Sequence, residues 1–256
     1  MTLSRRKFLK TTAAAALTAM AIPKAGQGFE LEGRMSPGPK ALKAKRWGMV
    51  VDMRRCKDDC AGACIKACHA VHNVPYIPQA EHQVMWLFLE PYENAFPEQS
   101  RGLTAGTAIK QKFLLMCNHC EDPPCVRACP TQATFKRQDD GIVMMDYHRC
   151  IGCRFCMAAC PYGSRSFNFR DPRPFISSIN PGYPTRRKGV VEKCNFCQER
   201  LEIGQMPACV EVCKEGVLTF RDLRDPDSTV SKILAKHPHM RRKPDLGTGP
   251  SVYYVL

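Results

Sequence analysis

The feature that most constrains this 256-residue chain is its set of sixteen cysteines, which fall into four groups of four. Group one is spaced C-x3-C-x3-C-x3-C, and group two C-x2-C-x4-C-x3-C-P. Group three is spaced C-x2-C-x2-C-x3-C-P, and group four C-x2-C-x11-C-x3-C. Such dense groups indicate a backbone that curls around a centre binding several thiolates at once. The members in chain order are Cys56, Cys60, Cys64 and Cys68; Cys117, Cys120, Cys125 and Cys129; Cys150, Cys153, Cys156 and Cys160; and Cys194, Cys197, Cys209 and Cys213.

The spacing of group three is that of bacterial ferredoxins, which carry 4Fe-4S clusters. In that arrangement three cysteines surround one cluster and the fourth binds the neighbouring cluster. Group two is a small variation on the same plan. Groups one and four are looser, with His69 and Lys214 standing where the inner groups have Pro130 and Pro161. We therefore expect 4Fe-4S clusters, and the cluster type is least defined at group one.

Two other uses of cysteine compete with this interpretation. A disulfide framework is typical of small exported domains, but it does not call for four tightly spaced repeats. Four-cysteine zinc sites also begin C-x2-C, yet zinc ribbons separate their two pairs by about 15 to 20 residues. Groups two and three each fit within 13 and 11 residues, which favours clusters. A zinc-stabilised structural subunit stays the alternative, which a visible absorption spectrum would distinguish.

The amino terminus indicates where the chain works. Arg5 and Arg6 begin a twin-arginine signal that continues Lys7-Phe8-Leu9-Lys10 and a mild apolar stretch, with cleavage expected near Ala21 or Ala25. The twin-arginine route exports folded proteins. A protein whose clusters are inserted before export requires such a route. No run of about 18 apolar residues occurs elsewhere, so we expect a periplasmic protein attached to the membrane through its partners.

The net charge of +14 does not indicate nucleic-acid binding. The signal segment alone accounts for five of these charges, leaving +9. Each oxidised cluster with its four thiolates carries roughly −2. Most of the excess lysine and arginine therefore balances the charge of the metal centres.

Regular structure is expected in short pieces. Helices are predicted around the last cysteine of each group and over Ser228 to Lys236. Segments 71–110 and 171–189 are proline-rich insertions, predicted to be mainly ordered surface loops. His69, His72 and His82 are assigned no ligand role. The predicted strands are Val84 to Leu89, Phe113 to Met116, Ile142 to Met145 and Gly163 to Phe169.

The order of groups two, three and four resembles the four-cluster iron-sulfur subunits of the DMSO reductase superfamily and its relatives. The resemblance runs from about Trp47 to Leu256, and it includes the closing stretches Phe220 to Ser228 and Gly247 to Tyr254. With its twin-arginine signal and loose first group, the chain looks most similar to periplasmic members that sit beside an NrfD-type integral membrane protein. The O subunit of the Dsr complex is such a member.

The resemblance implies an α+β fold of two interleaved ferredoxin-like halves, each holding two 4Fe-4S clusters, with loop insertions. The outer half would comprise residues 47–70 plus 190–256, and the inner half residues 111–170. Segment 1–25 would be the signal.

The resemblance also implies how the sixteen cysteines divide among four clusters, with the fourth cysteine of each group serving its partner. The inner sets would be Cys117, Cys120, Cys125 with Cys160, and Cys150, Cys153, Cys156 with Cys129. The outer sets would be Cys56, Cys60, Cys64 with Cys213, and Cys194, Cys197, Cys209 with Cys68.

The function that follows is an electron-transfer subunit without a substrate site, since all sixteen cysteines are used and no group is left incomplete. It would relay single electrons between an NrfD-type membrane subunit, or a multihaem cytochrome c, and another redox subunit of a respiratory complex. The alternative within the family is the wire subunit of a molybdopterin oxidoreductase.

Overall fold

The structure, a computed structural model, describes residues 38–56, 58–98 and 111–256, with side chains of the first helix described from residue 62. The predicted signal at 1–25 lies outside these residues. The described chain mixes short strands with short helices, which confirms a mixed α and β fold. The strands are β1 (Trp47–Asp52), β2 (Leu87–Pro91), β3 (Lys112–Met116), β4 (Thr134–Lys136), β5 (Val143–Met145), β6 (Ser166–Phe167), β7 (Val191–Glu192), β8 (Leu218–Asp222), β9 (His239–Met240) and β10 (Val252–Val255). The helices are α1 (Asp58–Val71), α2 (Tyr92–Ala95), α3 (Pro124–Arg127), α4 (Phe155–Ala158), α5 (Gln198–Leu201), α6 (Ala208–Glu211) and α7 (Thr229–Lys236).

The largest sheet in the described chain has the strand order β8-β1-β10-β9. Its second strand, β1, is buried along its whole length, because both of its edges are paired and both of its faces are covered. It runs antiparallel to β8, with Trp47 opposite Asp222, and parallel to β10, with Met49 opposite Val252. The first described strand is thus held between two segments that lie about 170 to 200 residues later in the chain.

Three smaller sheets complete the strand pairing of the described residues: β2 with β3, β4 with β5, and β6 with β7, all antiparallel. The predicted strands at Phe113 to Met116, Ile142 to Met145 and Gly163 to Phe169 correspond to β3, β5 and β6. Each of these sheets is two to five residues long, so they act as supports for the loops that carry the cysteines.

The first insertion departs from the prediction, because its described part contributes to the core. Trp86 and Leu87 are each 1% exposed, and Phe96 packs edge-on against Phe113 and Tyr254 with ring centroids 5.2 and 5.3 Å apart. The strand begins at Leu87 rather than at the predicted Val84, since its pairing with β3 starts there. The expectation of a mainly surface loop is wrong for residues 71–98, and partners distant in sequence are the reason.

The second insertion is irregular, as predicted, and a buried arginine helps to anchor it. Arg186 lies 2% exposed, and its Nη2 is 2.6 Å from Oε2 of Glu192 in β7. The same guanidinium donates hydrogen bonds to the carbonyl oxygens of His72 and Asn73, which follow α1. This buried cation joins the insertion to the end of the first helix, together with hydrogen bonds that Asn180 exchanges with Asn73 and donates to the carbonyl oxygen of Val71.

The helices sit differently around the cysteines than predicted. In groups two, three and four the short helix holds the third cysteine and ends two residues before the fourth. Proline after the fourth cysteine of the inner groups disfavours a helical conformation there, but it is not the whole reason, because the helix of group four ends at the same point although Lys214 follows its fourth cysteine. In group one the second, third and fourth cysteines lie in α1 itself. The helix predicted over Ser228 to Lys236 is confirmed, and the Oγ of Ser228 caps it by accepting the N–H of Ser231 at 3.1 Å.

Candidate metal centres

The cysteines of groups two, three and four are all free thiols, so no disulfide framework joins them.

The group-three loop approaches the second insertion closely. Gly152 has a φ of +72°, and a Cβ there would lie 2.4 Å from the carbonyl oxygen of Gly189. Only glycine combines this left-handed backbone with that contact, which fixes the loop between Cys150 and Cys153.

One inner set of cysteines surrounds a small cavity. Cys117, Cys120, Cys125 and Cys160 line it together, so the fourth cysteine of group three faces the first three of group two. Burial raises the pKa of the Cys120 thiol to about 12, and negative charge on Cys117, Cys125 and Cys160 adds to the rise. These side chains therefore repel one another as thiolates unless a cation lies among them.

The other inner set lies beside it. Burial raises the pKa of Cys156, the positive charge of Arg165 opposes the rise, and charge on Cys125, Cys129 and Cys150 adds to it. Cys129, the fourth cysteine of group two, thus lies near enough to Cys156, the third of group three, for its charge to act there. Its Sγ accepts the backbone N–H of Thr134 at 3.4 Å.

The outer groups meet across a long separation in sequence. Cys68 is buried on α1, and burial raises the pKa of its thiol well above the usual range. Charge on Cys194, Cys209 and Cys197 raises it further, each with a larger effect than Cys64 of its own group. The fourth cysteine of group one therefore lies among the first three of group four.

The remaining outer positions are less completely described. Helix α6 packs against α1, and charge on Cys64 raises the pKa of Cys209 after the effects of burial and Cys194. Cys56 and Cys213 are half-buried against the main core. The side chain of Cys60 lies outside the described residues.

The inner and outer groups touch at one junction. Burial raises the pKa of Cys194 to about 12, and the largest charge effect on it comes from Cys117. Beside this contact the rings of His119 and Phe196 stack with centroids 3.6 Å apart. Each of these residues comes directly before the second cysteine of a C-x2-C pair. Each also has a positive backbone φ, 41° for His119 and 56° for Phe196. Groups two and four thus present matching loops to each other.

These sites fit iron-sulfur clusters in the chemistry of their donors. Thiols packed together in a buried site favour the neutral form, and a bound metal ion deprotonates them outright. Backbone N–H groups also point at sulfur, from Thr134 to Cys129 and from Phe196 to Cys194, each at 3.4 Å. Such hydrogen bonds are among the features by which a protein sets the potential of a cluster.

Sequence reasoning missed several residues that surround the cysteines. The donor atoms of His72, Cys197 and Glu199 lie within 4.8 Å of one another, and Nε2 of His72 is 2.9 Å from Oε1 of Glu199. Because Cys197 is a predicted cluster ligand, His72 and Glu199 form its polar surroundings. Arg165 and Lys193 also lie buried near the cysteines. A single histidine or cation carries no signal of this kind in a sequence.

The fold and the cysteine sites define an iron-sulfur protein, and the known families agree. Residues 111–171 and 180–223 match the family described as 4Fe-4S dicluster domain. This range contains groups two, three and four. The described chain therefore carries ferredoxin-like 4Fe-4S domains, which confirms the predicted kind of cofactor over zinc.

Relatives extend the match to nearly the whole chain. Hdr-like menaquinol oxidoreductase iron-sulfur subunit 1 of Archaeoglobus fulgidus is 39% identical, across 99% of this chain and 98% of its own length. The iron-sulfur cluster-binding subunit of menaquinone reductase from Nitratidesulfovibrio vulgaris is 35% identical, across 84% of this chain and 90% of its own. Protein NrfC of Escherichia coli is 34% identical, across 100% of this chain and 96% of its own.

The chain belongs to the family of iron-sulfur subunits that includes those of the DMSO reductase, NrfC and Hdr-like menaquinol oxidoreductase types. It is an electron-transfer subunit of a respiratory oxidoreductase complex and not the catalytic one, as predicted. Among the residues that the structure describes, no helix is both long and apolar enough to cross a membrane.

Proposed function

We propose that the chain is a periplasmic subunit that relays single electrons through four 4Fe-4S clusters arranged in two interleaved ferredoxin-like halves. The observation that carries this proposal is that the fourth cysteines lie near the cysteines of other groups, which supports an exchange of ligands. Cys160 faces group two, Cys129 faces group three and Cys68 faces group four. Such an exchange supports two pairs of adjacent clusters rather than four separate sites.

The proposed ligand sets follow this exchange. Each bound cluster would accept and release one electron, at a potential governed by charge, hydrogen bonds to sulfur and burial. The chain supplies sixteen thiolates, buries seven of the fifteen whose side chains are described and donates backbone N–H groups to sulfur. The sets are Cys117, Cys120, Cys125 and Cys160; Cys150, Cys153, Cys156 and Cys129; Cys194, Cys197, Cys209 and Cys68; and Cys56, Cys60, Cys64 and Cys213. The proposed halves are residues 47–70 plus 190–256, and 111–170.

The proposed location and partners rest on sequence features. The twin-arginine segment would direct export of the folded, cluster-loaded chain, and attachment to the membrane would come from an NrfD-type subunit, as in the Dsr-type assignment. A multihaem cytochrome c would be a further redox partner. Relatives named for a tetrathionate reductase and a dimethyl sulfoxide reductase favour a second candidate, the wire subunit of a molybdopterin enzyme. The neighbouring genes distinguish the two proposals: genes for a polytopic membrane protein and a multihaem cytochrome favour the first, and a gene for a molybdopterin enzyme favours the second.

Cysteine substitution tests the exchange in the outer half. Cys68→Ser should perturb the cluster of Cys194, Cys197 and Cys209, some 126 residues away, and spare the cluster of its own group. The measurement is low-temperature EPR with a redox titration of each single variant. Cys56→Ser and Cys194→Ser serve as references for the two outer clusters.

The expected result is that Cys68→Ser reproduces the Cys194→Ser spectrum. If it instead reproduces Cys56→Ser, each group closes its own cluster and the interleaved halves are wrong. Iron and sulfide analysis of the unaltered protein, together with its visible absorption spectrum, independently checks that each chain holds four clusters.

A further inference from the structure

Lysine and arginine side chains are rarely buried without an anion, because desolvating a charge is costly. Four of them are buried in the described part of this chain: Arg165, Arg186, Lys193 and Arg242. Arg186 follows the rule, since it pairs with Glu192. Arg242 forms no ion pair among the described residues, and its side chain donates to the carbonyl oxygens of Ala95 and Tyr162. Arg165 and Lys193 differ in their position, because Arg165 lines the cavity of one inner cysteine set and Lys193 donates to the backbone of Cys194.

Lys193 is 1% exposed at the junction of the inner and outer halves. Its Nζ donates to the carbonyl oxygen of Cys194 at 2.7 Å and to that of Val143, which lines the cavity of Cys117, Cys120, Cys125 and Cys160. No carboxylate of the described residues forms an ion pair with it. Two carbonyl dipoles solvate an ammonium, but they do not cancel its charge.

Arg165 is 5% exposed and lines that same cavity together with all four cysteines. Its Nη1 donates to Thr134 Oγ1 at 3.2 Å, and the backbone N–H of Thr134 donates to Cys129 Sγ at 3.4 Å. Its buried Nη2 has no hydrogen-bond partner among the described residues. The guanidinium therefore lies between the two inner cysteine sets.

The charge balance at Arg165 agrees with this position. Cys117 and Cys125 of one inner set line the cavity with the guanidinium, and charge on Cys156 of the other inner set also acts on it. No carboxylate within the described chain takes this role.

We propose that Arg165 and Lys193 are buried counter-charges that raise the reduction potentials of the clusters they face. Arg165 acts on both inner clusters. Lys193 acts on the two clusters that meet at the junction, that of Cys194, Cys197, Cys209 and Cys68 and that of Cys117, Cys120, Cys125 and Cys160. The inference rests on the proposed function. Reduction adds one electron and no proton to a site, so the added negative charge is stabilised by a nearby buried cation that water cannot screen. The chain uses these two side chains to tune the interior of the relay.

The test is a redox titration of the full-length, cluster-loaded protein, followed by EPR. Arg165→Gln and Lys193→Gln remove the charge but keep a hydrogen-bond donor. Arg165→Lys and Lys193→Arg keep the charge. Lys232→Gln is the matched control, because it removes a cation whose side chain is 66% exposed on α7.

We expect Arg165→Gln and Lys193→Gln each to lower the midpoints of two clusters, the two inner ones for Arg165 and the two at the junction for Lys193. The expected size is at least a tenfold change in the one-electron reduction equilibrium, which is about 59 mV. The charge-keeping variants and Lys232→Gln should stay close to the unaltered protein.

If the midpoint potentials of a cluster-loaded Gln variant are unchanged, the proposed role of that residue is overturned. If they are unchanged in both Gln variants, the whole inference is overturned. If a Gln variant loses its iron while the charge-keeping variant at the same position retains it, the site requires the charge, which supports the proposal. Loss of iron in both variants at a position overturns it there, because shape is then the requirement. Absence of cluster signals in the unaltered protein would instead refute the proposed function.

Discussion

Glu192→Gln tests how far the fold depends on one buried ion pair. Glu192 is fully buried in β7, and its carboxylate accepts three hydrogen bonds from three side chains. These come from Trp86 Nε1 at 2.8 Å, Asn168 Nδ2 at 2.5 Å and Arg186 Nε at 2.8 Å, and Nη2 of Arg186 lies 2.6 Å from the same carboxylate as an ion pair. Glutamine keeps the shape but removes the charge, and its amide NH2 would face donors. Arg186 would then be a buried cation without an anion.

The magnitude follows from the completeness of this burial. Breaking a buried pair by removing one partner costs about 3 to 5 kcal/mol, because the remaining charge stays desolvated. For a chain of this size each kcal/mol lowers the melting temperature by about 2 to 4 °C. Glu192→Gln should therefore melt about 6 to 20 °C below the unaltered protein.

The assay is thermal unfolding followed by far-UV circular dichroism, with iron content measured on the same samples. Asp171→Asn is the control, because it breaks an ion pair of the same insertion whose side chains, Arg173 and Asp171, are 56% and 42% exposed. Exposed pairs contribute under about 1 kcal/mol, so the control should melt within a few degrees of the unaltered protein. A Glu192→Gln protein that melts no lower than the control would refute the reasoning.

Two further predictions concern export and attachment. Arg5→Lys with Arg6→Lys should leave cluster-loaded protein in the cytoplasm, because the paired arginines are the recognised element. Cell fractionation with iron analysis checks this expectation. Wild-type levels of the double variant in the periplasm would contradict it. The exported chain should fractionate with membranes only when an integral partner is present. The measurement is membrane fractionation after deletion of every neighbouring membrane subunit, with cleavage of the signal verified by mass spectrometry. If the chain still fractionates with membranes, it binds them without a partner.

Local features of the site could be predicted from the sequence because their causes are local. The spacing of groups two and three predicts cluster loops, and the structure places Cys160 and Cys129 where those loops meet. The burial of the first insertion could not be predicted in this way. Trp86 is buried because it meets Glu192, 106 residues later, and no period within 71–98 encodes that contact. Arg165 and Lys193 were missed for the same reason, since a buried cation looks like any other in a sequence.

The pairing of β1 with β8 and β10 has a consequence for how the protein is made. A ribosome releases group one long before residues 218–255, yet β1, which leads directly into group one, gains both of its neighbours only from those later segments. Its predicted partner cysteines in group four also emerge late. The sheet around β1 therefore cannot close until residues 218–255 have been made, and contacts this distant in sequence form slowly. In the proposed arrangement, metal loading of the outer half would be a late step, so a truncated product would be recognisable by its missing outer clusters.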